Sequence, residues 1–495
     1  MSEAVPEVPE VPWRRLDPKM LLVHPVSEVG RLAIPLLLLV FLGSGGIDGW
    51  HVAVVAIPVA LGLWRYATTQ FRITPEHLEL REGMIGRHVT RARLDKVRTV
   101  ALDAGPIHRV LSLSKVKIGT GDDNRLELNA LGTAEARALR SSLLHRVEEP
   151  TLGPGLADGI VAPPVLESDE VLLRFDPRWL LLAPFTGTGL LIAAGAVGAG
   201  SGPLQEPVGN LGQRLSDRAD GIPIVALVAG GGFLLGIALV VLSVAGYALT
   251  NWGFRFSRDR AGRSWHITKG LLTTTETSVD TSRVRGLSLC RPAGLRLVNG
   301  GTARALVTGL KEDDDSKSSA QIAPAAPYRL VHDVCLRIAG DDLAVDGALV
   351  EHGPRAARRQ LLRPLRGVLW LVLAVAVVAL SFDLPWWVAL LPAVLVPLAV
   401  WAGRDRYRAL GHLLTAHHLV AGEPKVSRHR NLLLRRGIIG WRVEQSFFQR
   451  RAGLVTLVAT TAAGEKRYAV VDLAEDRATA LAQEAVPGLV AQFLA

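Results

Sequence analysis

Few residues of this chain have the types and spacing that reactive chemistry needs. Ser112-Leu113-Ser114-Lys115 matches S-x-x-K, in which a lysine one helical turn from a serine activates its hydroxyl as a nucleophile. That chemistry needs a helix and partner motifs of the S-D-N and K-T-G type. Both motifs are missing, and the segment alternates as a strand does, which sets Ser112 and Lys115 on opposite faces. The histidines are scattered, with no H-E-x-x-H. The nearest cluster is His412 with His417-His418, and adjacent histidines in a strand point opposite ways, so no metal site is expected. Asp313-Asp314-Asp315 lack the alternating oxygens, glycine and closing glutamate of an EF-hand and read as part of a solvated loop, Lys311–Ser319. Cys290 and Cys335 have no metal-ligand spacing and are too few for a disulfide scaffold. They are expected as small core residues in a reducing compartment. No catalytic residue, no cofactor and no metal is expected, and the sequence reads as non-enzymatic.

Two features suit other work. Arg355, Arg358, Arg359, Arg363 and Arg366 precede an apolar run. Such a flank orients a membrane segment, and it also suits contact with anionic lipid headgroups. Gly232 and Gly236 form a GxxxG in an apolar stretch, a spacing that lets helix backbones approach closely, within one chain or between chains.

These residues are positioned by three long apolar stretches. Leu32–Trp64 is interrupted by Gly45-Gly46-Ile47-Asp48-Gly49, and similar runs occupy Trp179–Leu249 and Gly367–Gly403. A helix crosses a bilayer with about 20 apolar residues, so each run reads as a hairpin of two crossings. The arms of the first are short, and a re-entrant loop is its alternative. The second offers Trp179–Gly200 and Ile222–Leu249, the third Gly367–Phe382 and Leu384–Gly403. Each hairpin returns the chain to the side it left. Arginine crowds the hairpin bases, whereas Asp48 and Asp383 mark two tips with no Lys or Arg, so the soluble segments and both termini are expected in the cytoplasm. No charge falls in the middle of an expected crossing, which disfavours the alternative reading as a transporter or channel subunit. The formal net charge of +10, beside 49% apolar residues and a mean hydropathy of +0.27, points to an anionic membrane surface rather than nucleic acid.

The chain repeats itself. Asp17-Pro18-Lys19-Met20-Leu21-Leu22-Val23-His24-Pro25 has its counterpart in Asp176-Pro177-Arg178-Trp179-Leu180-Leu181-Leu182-Ala183-Pro184, with a weaker echo at Leu361–Pro364. After the first hairpin, Gln70–Thr74, His77–Arg81, Leu94–Arg98, Val116–Ile118 and Leu126–Leu128 alternate as half-buried strands. A helix capped at Thr133 follows, with Leu139, Leu143 and Val147 on one face. In the second segment Gly270-Leu271-Leu272 answers Gly83-Met84-Ile85, and Val284-Arg285 answers Val97-Arg98 at the same distance; Tyr328–Ile338 is its expected closing helix. In the third, Gly437-Ile438-Ile439 does not keep that spacing, Val455–Thr461 reads as a strand, and a helix is expected from Leu473 to about Ala485.

Gln449-Arg450-Arg451-Ala452-Gly453-Leu454, with the Thr460–Gly464 turn and His108-Arg109-Val110-Leu111 in the corresponding place, resembles the bacterial membrane-flanked, pleckstrin-homology-like proteins of the YdbS/YdbT-like family. Around Arg291-Pro292-Ala293-Gly294-Leu295 only fragments of the motif remain. The resemblance implies a bent antiparallel sheet with a C-terminal helix, and no enzymatic activity. The expected fold is thus membrane α plus soluble α+β, in three repeats of a transmembrane helical hairpin followed by a PH-like sheet and helix. The expected parts are a cytoplasmic tail (1–28), hairpins at 29–66, 171–249 and 367–403, PH-like domains at 67–148, 250–342 and 404–495, a linker at 149–170 and a basic linker at 343–366. The expected role is a scaffold or binding platform at the inner face of the plasma membrane. Its expected partners are membrane lipids and a protein, for which a paralogous membrane protein is one candidate.

Overall fold

The computed structural model describes residues 13–15, 68–74, 77–82, 88–93, 99–119, 125–145, 169–187, 224–308, 321–382 and 385–489. The first hairpin, the N-terminal tail, the strand expected at Leu94–Arg98, Gly83, most of the 149–170 linker and the acidic loop at Lys311–Ser319 lie outside these residues. Two compact units emerge, one of Met1–Phe175 with Gly187–Ser282, the other of Asp176–Thr186 with Arg283–Ala495.

In the first unit, β1 (Arg14–Arg15), β2 (Gln70–Ile73), β3 (His77–Glu82) and β4 (His88–Arg93) form an antiparallel sheet in that order. Then come β5 (Thr99–Ala104), the short helix α1 (Pro106–Val110), β6 (Leu113–Gly119), β7 (Arg125–Gly132) and helix α2 (Thr133–His145). Alternation puts Phe71, Leu78 and Leu80 on one buried face and Val100, Leu102, Val116, Ile118 and Leu128 on the other, with Ala136 and Leu139 of α2 in the same core. Thr133, expected as the cap, is the first helical residue. Ser112 sits in a turn with φ of 57° just before β6, so Ser112 and Lys115 share no helix. β8 (Glu170–Arg174), helix α3 (Ile224–Asn251), β9 (Arg255–Arg258), β10 (Ser264–Lys269) and β11 (Thr274–Asp280) complete the unit. Its second sheet runs β7-β6-β5-β11-β10-β9-β8 and is joined at β5–β11.

The second unit opens with a 3-10 helix, Pro177–Thr186. These residues were expected to start a membrane crossing, yet Trp179 and Ala183 are buried. The rest comprises β12 (Val284–Arg291), α4 (Ala293–Leu297), β13 (Gly300–Val307), β14 (Gln321–Pro327), α5 (Tyr328–Ala339) and α6 (Asp342–Asp346). Next are α7 (Pro354–Ser381), a 3-10 helix (Trp386–Leu395) and α8 (Val396–Ala409). β15 (Gly411–Leu414), β16 (His418–Glu423), β17 (Arg428–Leu434), β18 (Ile438–Glu444), α9 (Phe447–Ala452), β19 (Leu454–Thr461), β20 (Arg467–Ala474) and α10 (Glu475–Ala485) end it. One sheet runs β14-β13-β12-β17-β16-β15, and a three-stranded sheet runs β18-β19-β20. Leu419, Leu433, Ile438, Leu457, Val470 and Leu473 pack with Ala478 and Leu481 of α10 into its main core.

Three readings change. The stretch expected as a basic linker is helical from Pro354, so the arginines lie on the first turns of α7. Leu473 belongs to β20, and the last helix starts at Glu475. Gly437 is not the counterpart of Gly270: Gly270 turns the chain from β10 into β11, whereas Gly437 closes the 3-10 turn before β18. The true counterpart of the Gly270 turn is the Pro424–Ser427 connection between β16 and β17.

Among the described residues, three helices are long and apolar enough to cross a membrane, over Gly230–Asn251, Pro354–Ser381 and Trp386–Ala409. Phe233, Leu234, Leu369, Trp370 and Leu380 on them are exposed, as lipid-facing side chains are. Neither Gly232 nor Gly236 has a described atom within 4 Å of where its Cβ would stand. The segments flanking each apolar stretch meet. β1 pairs with β2, β8 with β9, and Val350 forms a bridge with His412.

Candidate functional site at the base of the last helical pair

α9 starts the site. Ser446 caps it by accepting from the Gln449 backbone, and the Gln449 side chain accepts in return from the Ser446 N–H at 2.9 Å, a complete capping box. Gly453 ends the helix in the left-handed region, so β19 can begin at once. The Gln449 amide, held by this cap, donates to Thr456 Oγ1 at 2.7 Å and to Asp472 Oδ1 at 2.9 Å.

Asp472 is the hub. It is fully buried on β20 with φ of 57°, a conformation that Asp and Asn tolerate better than most residues. Its carboxylate also accepts from Arg359 and, at 2.6 Å, from Gln360 Nε2; both donors are on α7. Gln360 Oε1 in turn accepts from Arg406 Nε of α8 at 3.3 Å. A buried carboxylate is tolerable only with such company. The network ties the base of both helices to the sheet behind them. A second tie is Asp405 of α8, 5% exposed, which takes a two-pronged contact from Arg296 (2.6 and 2.7 Å) and a third from Arg428 at 2.9 Å.

His352 and His412 form a neutral pair beside this hub. The Val471 carbonyl can only accept, so His352 Nδ1–H donates to it at 2.8 Å, and His352 Nε2 accepts from His412 Nδ1–H at 2.9 Å. Burial holds the pKa of His352 below the usual range. Burial, then the His352 and Arg477 charges, pushes His412 down to about 4.

The five arginines flagged from sequence have separate settings. Arg359 is bound to Asp472. The Arg366 guanidinium lies 4.5 Å from the centre of the Phe448 ring, and Phe447 and Phe448 are themselves exposed. Arg355, Arg358 and Arg363 are exposed. Arg358 joins Arg404, Tyr407 and Arg408 around a cleft of about 330 Å³ floored by Leu361 and Gly403. A Cβ at Gly403 would stand 2.8 Å from Leu361 Cα, so glycine lets α7 and α8 come this close. Of these, Arg404 and Arg408 belong to the arginines that crowd the hairpin bases. Asp472, Asp405 and His352 were not singled out. The one signal was a charged residue inside the apolar Tyr468–Leu473 alternation. Among the described residues, no group of three or more His, Cys, Asp or Glu side chains is placed to hold a metal.

Residues 29–147 and 363–485 each match the family model described as Bacterial PH domain. Each match begins near or within an apolar stretch and runs to the closing helix, α2 or α10. Over these two segments the chain is similar to bacterial PH domains. A distant relative of such domains is the UPF0699 transmembrane protein YdbT of Bacillus subtilis (strain 168). It is 21% identical over 446 residues, spanning 88% of this chain and 84% of the relative. No solved structure matches. In bacterial PH domain terms, the Gln-Arg-Arg-Ala motif from which the resemblance was first read is the α9 capping box, and its glutamine is the link to Asp472.

Proposed function

We propose that this is a non-enzymatic, multi-pass membrane protein in which a helical hairpin followed by a PH-like sheet and helix occurs three times, and whose PH-like modules form a binding platform at the cytoplasmic membrane surface. The observation that carries this reading is the meeting of the segments that flank each apolar stretch, β1 on β2, β8 on β9 and Val350 on His412. A chain that returns to its own starting strand leaves its sheet beside the membrane on the side it came from. The non-enzymatic reading draws support from the work done by the buried polar groups. Asp472, Gln449, Gln360 and Asp405 are all engaged in holding helix bases to sheets.

The ligand chemistry that fits best is an anionic headgroup. Arg358, Arg404 and Arg408 surround a cleft whose floor is apolar, beside helices that themselves need lipid. Near an anionic surface each Lys or Arg contributes about 1 kcal/mol. Removing three should weaken anionic-lipid retention on the order of 100-fold at low salt. Full-length protein with Arg358→Gln, Arg404→Gln and Arg408→Gln, purified in mild detergent, should therefore lose the anionic lipid that the unaltered protein retains. Equal retention by both proteins would defeat the headgroup reading.

A further inference from the structure

One kind of strand junction occurs twice. β5 pairs antiparallel with β11, and β12 pairs antiparallel with β17. In each case the strand before a short helix (α1 or α4) joins the last strand of the three-stranded meander that follows the next apolar stretch. The registers agree. Aligning Val97 with Val284 puts Thr99 on Gly286; Thr99 opposes Val279 and Gly286 opposes Leu433, and both partners lie one residue before the end of their strand. At the other end Ala104 opposes Thr274 and Arg291 opposes Arg428, the first residue of each partner strand.

The two ends of this series are left over. β18 stands where β5 and β12 stand, before α9, and among the described residues it pairs only with β19. β4 stands where β11 and β17 stand, and among the described residues it pairs only with β3. β18 also matches β12 in detail. Each strand has an irregularity that skips its second residue, so Val284 and Gly286 correspond to Ile438 and Gly440. At Gly286 a Cβ would stand 2.1 Å from the Leu432 carbonyl oxygen of β17, so glycine admits the neighbouring strand. At Gly440 there is nothing within 4 Å. The regular strand β5 carries Thr99 at this place, so the glycine goes with the irregular strands, β12 beside its neighbour and β18 without one among the described residues.

We propose that copies of this protein join head to tail, the β18 edge of one copy pairing antiparallel with the β4 edge of another. The inference goes beyond the lipid platform and does not depend on it. Carrying over the shared register sets Gly440 opposite Ala92, Trp441 opposite Arg91, Arg442 opposite Thr90, Val443 opposite Val89 and Glu444 opposite His88. Val443 is 61% exposed and Val89 41%, and pairing them covers both. Trp441 meets the exposed stem of Arg91, and no two like charges face each other directly. β18 carries no proline and its own Ile439 is 60% exposed, and its irregularity at Ile438/Gly440 is one that β12 shares while still pairing with β17. A contact between unlike surfaces leaves one β4 and one β18 open at each addition, so it builds a ring or an open row.

The test uses two differently tagged full-length chains co-expressed in one membrane, one with Val89→Cys and the other with Val443→Cys. Directly opposed residues in an antiparallel pair have Cα atoms about 4.5–5.5 Å apart, within disulfide range. Mild oxidation should give a mixed, disulfide-linked dimer of the two tags. Thr90→Cys with Val443→Cys, one residue out of register and on the opposite face, should give none. Adding Gly440→Val to the Val443→Cys chain has room in the isolated fold but blocks the incoming strand, so it should abolish the mixed dimer. A mixed dimer that survives Gly440→Val would overturn the proposal. So would no mixed dimer, Val443→Cys chains linked to each other in its place, or linkage of Val443→Cys to a different protein.

Discussion

Asp472 shows what one residue can hold. Its carboxylate serves Arg359, Gln360 and Gln449, from two helices, at no exposure to solvent. Removing one partner of a buried pair leaves the other charge uncompensated, at a cost of about 3–5 kcal/mol. Asp472→Asn keeps the shape and tolerates the positive φ, but it cannot neutralise Arg359, so it should destabilise the second unit by about 3 kcal/mol. The measurement is the denaturant midpoint of the detergent-solubilised protein, and an unchanged midpoint would remove Asp472 from the centre of this account. Half of this site was legible in the sequence. Gln449 stood out because the Gln-Arg-Arg-Ala-Gly-Leu string resembles a known family, and Ser446 three residues before it is a capping signal. Asp472 was not legible, because its partners on α7 lie over a hundred residues earlier in the chain (112 and 113 residues away) and no local pattern joins them.

At the scale of elements, the junction between β12 and β17 rests on a small residue. Gly286→Val would drive a side chain into the Leu432 carbonyl of the neighbouring strand, an overpacking that typically costs about 1–3 kcal/mol. Amide exchange should rise in β12 and β17 while β19 and β20 stay protected; protection unchanged in β17 would show that the junction accommodates the side chain. Strand existence was readable in the sequence, from period-two alternation at His77–Arg81 and as an apolar run at Val455–Thr461, and the structure extends these to His77–Glu82 and Leu454–Thr461. Strand partnership was not. Pairing of β5 with β11 and of β12 with β17 joins strands of successive modules across an intervening apolar stretch, and alternation carries no information on which edge a strand will meet. The same limit explains Gly437. A Gly-apolar-apolar triplet marks the turn at Gly270, and Gly437 breaks the spacing because in the third module a proline-containing connection makes that turn while the glycine serves the next one. The arginine run was read as a linker because its charge masks an amphipathic start to α7. In the structure Arg355, Arg359 and Arg363 recur every four residues on one continuous helix that passes directly into the apolar segment.

For the whole molecule, two independent lines bear on which side of the membrane the sheets occupy. Arginine crowds the hairpin bases and is absent from the tips at Asp48 and Asp383, an asymmetry that favours a cytoplasmic base. The strand pairings across each apolar stretch bring its two flanks together, as the proposed hairpins need. The periodicity behind this was legible because the Asp-Pro-basic-Leu-Leu-Pro string is copied at fixed offsets, and Asp176 shows a local reason for it: its carboxylate accepts from the Arg178 N–H at 2.9 Å as the 3-10 helix begins. Single cysteines test the arrangement. The native thiols give a quiet background, because burial pushes Cys290 up to about 11 and Cys335 up to about 12, so both stay protonated and slow to react. Cysteines replacing Asp48, Asn210 and Asp383 should react with a membrane-impermeant maleimide added to intact cells. Cysteines replacing the exposed Ala134, Ala261 and Ala462, one in each soluble segment, should react only after the cells are opened. Labelling of Ala261→Cys or Ala462→Cys from outside would place a sheet on the far face. Agreement between those two with Ala134→Cys alone reversed would isolate the fault in the first apolar stretch, whose arms are the shortest.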